Sequence, residues 1–90
     1  MKTSFFIYIL KCQNDSYYTC YTDNLERRYQ KHCEGLASKY TRSFKPVCIA
    51  QSWEIKGTKA EAMKIERYIK NLTRAEKENL IKNPKKLTTK

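Results

Sequence analysis

Ninety residues carry 19 Lys and Arg against nine Asp and Glu, a formal charge of +10, which leaves room for one core only and favours an anionic partner at some cost in self-repulsion. The four cysteines, Cys12, Cys20, Cys33 and Cys48, include no C-x2-C pair and stand with a single histidine, His32, which argues against a zinc knuckle. No stretch is long and apolar enough to span a bilayer, the apolar run at 5–10 is too short for a signal peptide, and no lipid anchor or bulky amphipathic face is evident.

These features predict a cytoplasmic protein with reduced thiols and no membrane association. Composition alone weighs a nucleic-acid partner evenly against a merely lysine-rich surface.

Residues 5–12 are apolar at both parities, as in a central strand covered on both faces. A polar turn at 13–16 leads to a second run of β-formers at 17–22, and the pair reads as an antiparallel hairpin. Asp23 is placed to cap a helix with Glu26 completing a capping box, and Gly35 to stop it after about residue 34. Leu25, Arg28, Tyr29 and His32 then share one side of that helix. A basic loop at 35–46 holds Lys39, Arg42 and Lys45 and closes at Pro46, and residues 47–55 form a third strand that Gly57 ends. Thr58 with Glu61 makes a second capping box ahead of the apolar stripe Ala62, Ile65, Ile69 and Leu72. Thr73 with Glu76 makes a third, opening a helix to about Ile81. The expected fold is α/β (α+β): a three-stranded, mostly antiparallel sheet flanked by helices, in the order ββαβαα. One domain spans 1–81, and the basic segment 82–90 is expected to be a disordered tail.

Taken singly, the polar residues favour plain readings. Glu66 borders the apolar stripe, where an unpaired carboxylate costs free energy. An arginine or a hard divalent cation would satisfy it, and so would an i,i+4 pair with Lys70. Arg28 and His32 lie one helical turn apart and suit a phosphate, although a lone helical histidine is usually a surface or boundary residue. Tyr8, Tyr17, Tyr18 and Tyr21 crowd the hairpin, mostly as packing. Lys39-Tyr40-Thr41-Arg42 and Lys45 offer cations and an aromatic ring to a nucleic-acid backbone and its bases.

In order and spacing, these segments resemble the GIY-YIG nuclease superfamily. Its first motif, Gly-Ile-Tyr, falls on Phe6-Ile7-Tyr8, and its second, Tyr-Ile-Gly, on Tyr18-Thr19-Cys20. The helix carrying Arg28 and His32 is similar to the family helix with a catalytic arginine and a histidine four residues later. Glu66 matches the family's metal-ligating glutamate. Ser16-Tyr17-Tyr18-Thr19, Lys39-Tyr40-Thr41-Arg42 and Leu72-Thr73-Arg74-Ala75-Glu76-Lys77 resemble segments of the small standalone bacterial members, and the likeness runs from residue 5 to about 81.

That resemblance implies metal-dependent hydrolysis of a phosphodiester in DNA, with branched or damaged forms as candidate substrates. Glu66 would hold Mg²⁺ or Mn²⁺, Arg28 would bind the scissile phosphate, and Tyr8 or Tyr18 would position or deprotonate the attacking water with help from His32. Phe6 and Cys20 stand where the motifs have glycine. A side chain at Cys20 narrows the approach of backbone and substrate, so a nucleic-acid-binding module of the same fold with weakened catalysis is the alternative. A domain that works only with a protein partner is a third reading.

Overall fold

Residue-by-residue burial explains why the first strand lacks alternation. In the computed structural model, which describes residues 4–87, β1 (Ser4–Cys12) lies between β2 (Tyr17–Thr22) and β3 (Pro46–Lys56) and pairs antiparallel with both. Ile7, Tyr8, Ile9 and Leu10 are all fully buried, each aliphatic one contributing about 2 kcal/mol by leaving water. Ile7 and Ile9 pack with Ile55 and with Ala62 and Ile69 of α3 (Lys59–Lys70) and Leu80 of α4 (Arg74–Lys82). Tyr8, Leu10 and Cys12 face the other way, toward Cys20 and Tyr18 of β2, Leu25 and Tyr29 of α1 (Leu25–Glu34), and Tyr40 of α2 (Lys39–Ser43). The sheet is thus sandwiched between two helix pairs, and its register sets Tyr8 opposite Cys20 and Leu10 opposite Tyr18. No helix of the described residues is long and apolar enough to cross a membrane.

The two later capping boxes form as expected, Thr58 with Glu61 and Thr73 with Glu76. Three expectations need correction. The first box does not form: Asn24, not Asp23, is the N-cap of α1, its Oδ1 accepting from the Arg27 N–H at 3.1 Å. Thr22 Oγ1 accepts from the Asn24 N–H at 3.1 Å, which fixes Asn24 in the extended geometry that a cap requires. The basic loop contains α2, a single turn capped by Ser38, whose side chain accepts from Thr41 N–H. The expected disordered tail from residue 82 is ordered as far as it is described. Lys82 ends α4, Pro84–Lys86 form a 3₁₀ turn, Trp53 Nε1 donates to the Pro84 carbonyl at 2.9 Å, and Leu87 packs on the core. The apolar contact and the indole hydrogen bond supply the anchor that composition alone did not reveal; residues 88–90 lie outside the described part.

Thr19, the middle residue of the second motif, is 2% exposed and its hydroxyl has no hydrogen-bond partner among the described residues. A buried orphan hydroxyl destabilises the fold. Thr19→Val, which keeps the shape, is therefore expected to raise the free energy of unfolding by about 1 kcal/mol, seen as a higher urea midpoint at unchanged slope. A lower midpoint would contradict this account.

Candidate active site

The centre of the site is the only histidine. His32, in the last turn of α1, is fully buried, and both ring nitrogens are engaged. Nε2 lies 2.8 Å from the Tyr8 hydroxyl and Nδ1 2.8 Å from Thr41 Oγ1. Thr41 in turn lies 2.9 Å from Ser38 Oγ. α1 and α2 meet at this chain because Gly35, at φ 80°, turns the end of α1 through left-handed geometry, with its N–H on His32 O and the next N–H on Lys31 O. Arg42 Cγ packs across that turn, 3.3 Å from where a Cβ on Gly35 would sit.

Burial and the nearby Arg28 charge lower the His32 pKa to about 4, so the ring is neutral at pH 7. Tyr8 is equally buried, and its pKa is raised by burial and by the Cys20 thiol, with Arg28 opposing. Tyr8 is therefore a neutral hydroxyl, not a phenolate. Arg28 lies against both the Tyr8 hydroxyl and the Cys20 thiol. Burial lowers its pKa, but those two neighbours more than compensate and leave it raised. Arg28 is half-buried, its Nε has no hydrogen-bond partner, and no carboxylate pairs with it among the described residues.

Tyr18 completes the cluster. Its ring meets His32 edge-on at 5.7 Å and stacks on Tyr40 at 5.4 Å and 10°. It is half-buried, and its hydroxyl makes no recorded hydrogen bond among the described residues. Tyr40 is tilted at 5.3 Å against Phe44, the C-cap of α2, and its hydroxyl bonds Ser16 Oγ and accepts from Asn14 Nδ2 at 3.2 Å. The Tyr40 ring, expected to meet nucleic acid, also backs Tyr18. Lys39, Arg42 and Lys45 are exposed, with no ion pair among the described residues.

Four of the five expected catalytic residues, Tyr8, Tyr18, Arg28 and His32, therefore converge. Glu66 is not joined to them by any recorded contact. It sits on α3, which lies across β1 and β2, the strands that carry the two tyrosines. Its side chain is 16% exposed and its one recorded partner is Lys70 at 3.8 Å, the i,i+4 pair that spacing allowed. No group of three His, Cys, Asp or Glu gathers among the described residues. A site for Mg²⁺ does not need one, because that ion keeps several waters and takes one or two carboxylates together with phosphate oxygens. A shielded carboxylate with so loose a partner fits that donor set.

Cys20, expected to narrow the approach, is 9% exposed and lies opposite Tyr8 and beside Arg28, its thiol donating to the Tyr21 carbonyl at 3.6 Å. Residues given no role from sequence are Ser38 and Thr41 behind His32, and Asn14 and Ser16 behind Tyr40. Their signal was slight: a serine N-cap for a single turn, and a polar hairpin.

The profile described as the GIY-YIG catalytic domain matches residues 4–79. A UPF0213 protein of Bacillus velezensis is 44% identical over 85 residues, covering 92% of this chain and 83% of its own length. One from Natronomonas pharaonis is 41% identical, covering 90% and 94%. The solution NMR structure of a UPF0213 protein from Bacillus halodurans, 37% identical, has a TM-score of 0.55 and covers 97% of this chain and 99% of its own. With the family model matching most of the chain and relatives more than 40% identical over most of its length, the chain belongs to the GIY-YIG catalytic-domain family.

Proposed function

We propose that this protein is a metal-dependent endonuclease acting on DNA. The observation that carries the reading is Arg28: a half-buried cation with no carboxylate partner among the described residues, set among Tyr8, Cys20 and His32. A guanidinium left unpaired in such a place calls for an anion, and its planar fork suits two phosphoryl oxygens. The reaction adds water across a P–O bond: hydroxide joins phosphorus, and the proton ends on the leaving oxygen, giving a phosphomonoester and a hydroxyl.

Arg28 binds the scissile phosphate and offsets the charge that grows on it. Tyr18, whose hydroxyl is the less buried and the unengaged one of the pair, orients the attacking water. Tyr8, neutral and enclosed, stands behind Arg28 and anchors to His32. Glu66 would hold Mg²⁺ or Mn²⁺, whose chemistry in such a place is to polarise a phosphoryl oxygen and stabilise the leaving one. Lys39, Arg42 and Lys45 supply exposed cations for the flanking backbone.

The test compares wild type with Glu66→Ala on plasmid, single-stranded and branched DNA with Mg²⁺ or Mn²⁺. Wild-type cleavage that falls on the order of 10³-fold in the variant is the expected result; equal cleavage would sink the mechanism. One observation favours the binding-only reading: the thiol of Cys20 occupies space against Tyr8 and Arg28 that a glycine would leave open. Salt-sensitive binding without cleavage would select it, and recovery in Cys20→Gly would locate the block.

A further inference from the structure

The chain of hydroxyls and imidazole behind Arg28 has a direction. The buried Tyr8 hydroxyl has one hydrogen bond among the described residues, to His32 Nε2. The Tyr8 proton then points to His32 Nε2, 2.8 Å away. A neutral imidazole that accepts at Nε2 carries its proton on Nδ1, which faces Thr41 Oγ1 at 2.8 Å. Thr41 passes its own proton to Ser38, whose Oγ lies at 2.9 Å and whose carbonyl, a pure acceptor, lies at 3.5 Å. The Ser38 carbonyl, a pure acceptor at the end of the series, polarises it one way. Reversing the ring tautomer would turn the Tyr8 proton away from the imidazole, toward the neighbouring Cys20 thiol.

We infer that Thr41, supported by Ser38, is a positioning residue that fixes His32 as the Nδ1–H tautomer and thereby keeps the Tyr8 oxygen available to orient Arg28. The inference adds α2 to the site and rests on the reading of Arg28 as the phosphate-binding group; the tautomer itself does not depend on that reading. Thr41 is fully buried, so no water stands in for its hydroxyl. In Thr41→Val, an Nδ1–H would be a stranded donor, and the ring lowers that cost by moving its proton to Nε2.

Because His32 is the only histidine, its ¹⁵N ring shifts report the tautomer without assignment. The wild type should show Nδ1–H, Thr41→Ser the same, and Thr41→Val Nε2–H. DNA cleavage at saturating substrate should fall on the order of 10-fold in Thr41→Val and be retained in Thr41→Ser. A wild-type ring protonated on Nε2 overturns the inference even if Thr41→Val does not fold. A folded Thr41→Val that keeps Nδ1–H also overturns it, as does a switched tautomer with unchanged cleavage. If the wild type shows Nδ1–H and Thr41→Val shows Nε2–H but no form cleaves DNA, the tautomer assignment stands and the nuclease reading falls.

Discussion

Arg28→Ala is expected to lower the single-turnover cleavage rate about 10²- to 10³-fold, roughly 3–4 kcal/mol of lost transition-state stabilisation. The effect should be concentrated in the rate. Removing one phosphate contact weakens DNA binding uniformly across sequences and reduces the slope of log affinity against log salt by about 1, because Lys39, Arg42 and Lys45 remain to hold the backbone. Arg28→Lys should recover little, since an ammonium lacks the fork and could not meet Tyr8 and the phosphate at once. The variant is also expected to fold, because no ion pair is lost and the partnerless Nε disappears with the side chain. A loss confined to affinity, with the rate at saturation unchanged, would show that Arg28 only holds the substrate. An unchanged rate and affinity together would remove it from the site.

Much of the fold was legible because its signals are local. Apolar residues at both parities of 5–12 marked a strand covered on both faces, and Thr58 with Glu61 and Thr73 with Glu76 marked two helix starts. What escaped was too short or too distant for a periodic signal. α2 is five residues long, less than two turns, so no apolar stripe could announce it. Leu87 and Pro84 are tied down by Trp53 and the core across more than thirty positions of sequence. The site divides the same way. Arg28 and His32 were readable from their four-residue spacing on one helix. The hydrogen bond between Tyr8 and His32 spans 24 positions, and it changes the meaning of His32 from a boundary residue to a buried link between two hydroxyls. Cys20 shows the opposite limit: its identity was plain, but only the strand register, which sets it opposite Tyr8, shows that the buried thiol stands beside that hydroxyl. Glu66 has the lysine partner that plain i,i+4 spacing predicts, and its metal role remains a proposal drawn from family resemblance.

His32 should also make the fold acid-sensitive well above the range of the carboxylates. Its pKa falls from 6.5 to about 4 on folding, first through burial and then through the Arg28 charge. Between those values the unfolded chain binds a proton that the folded chain refuses, so stability is full above about pH 6.5 and is lost as pH falls toward 4. At about 1.4 kcal/mol per pH unit, the loss comes to about 3 kcal/mol, a large share of the roughly 5–15 kcal/mol of an ordinary domain. Glu76, held below the usual carboxylate range by the Thr73 backbone and side chain, also favours the folded state. Its contribution begins to fade only as pH drops through the ordinary carboxylate values, so the interval from 6.5 to about 5 reports on His32. Urea unfolding at pH 7, 6 and 5 should show the decline, and His32→Gln should flatten it. A ¹⁵N titration of the single histidine in the folded protein gives the direct check. A ring that protonates near 6.5 would mean that burial and Arg28 do not hold the proton off. The neutral imidazole needed to link Tyr8 to Thr41 would then be half lost at that pH.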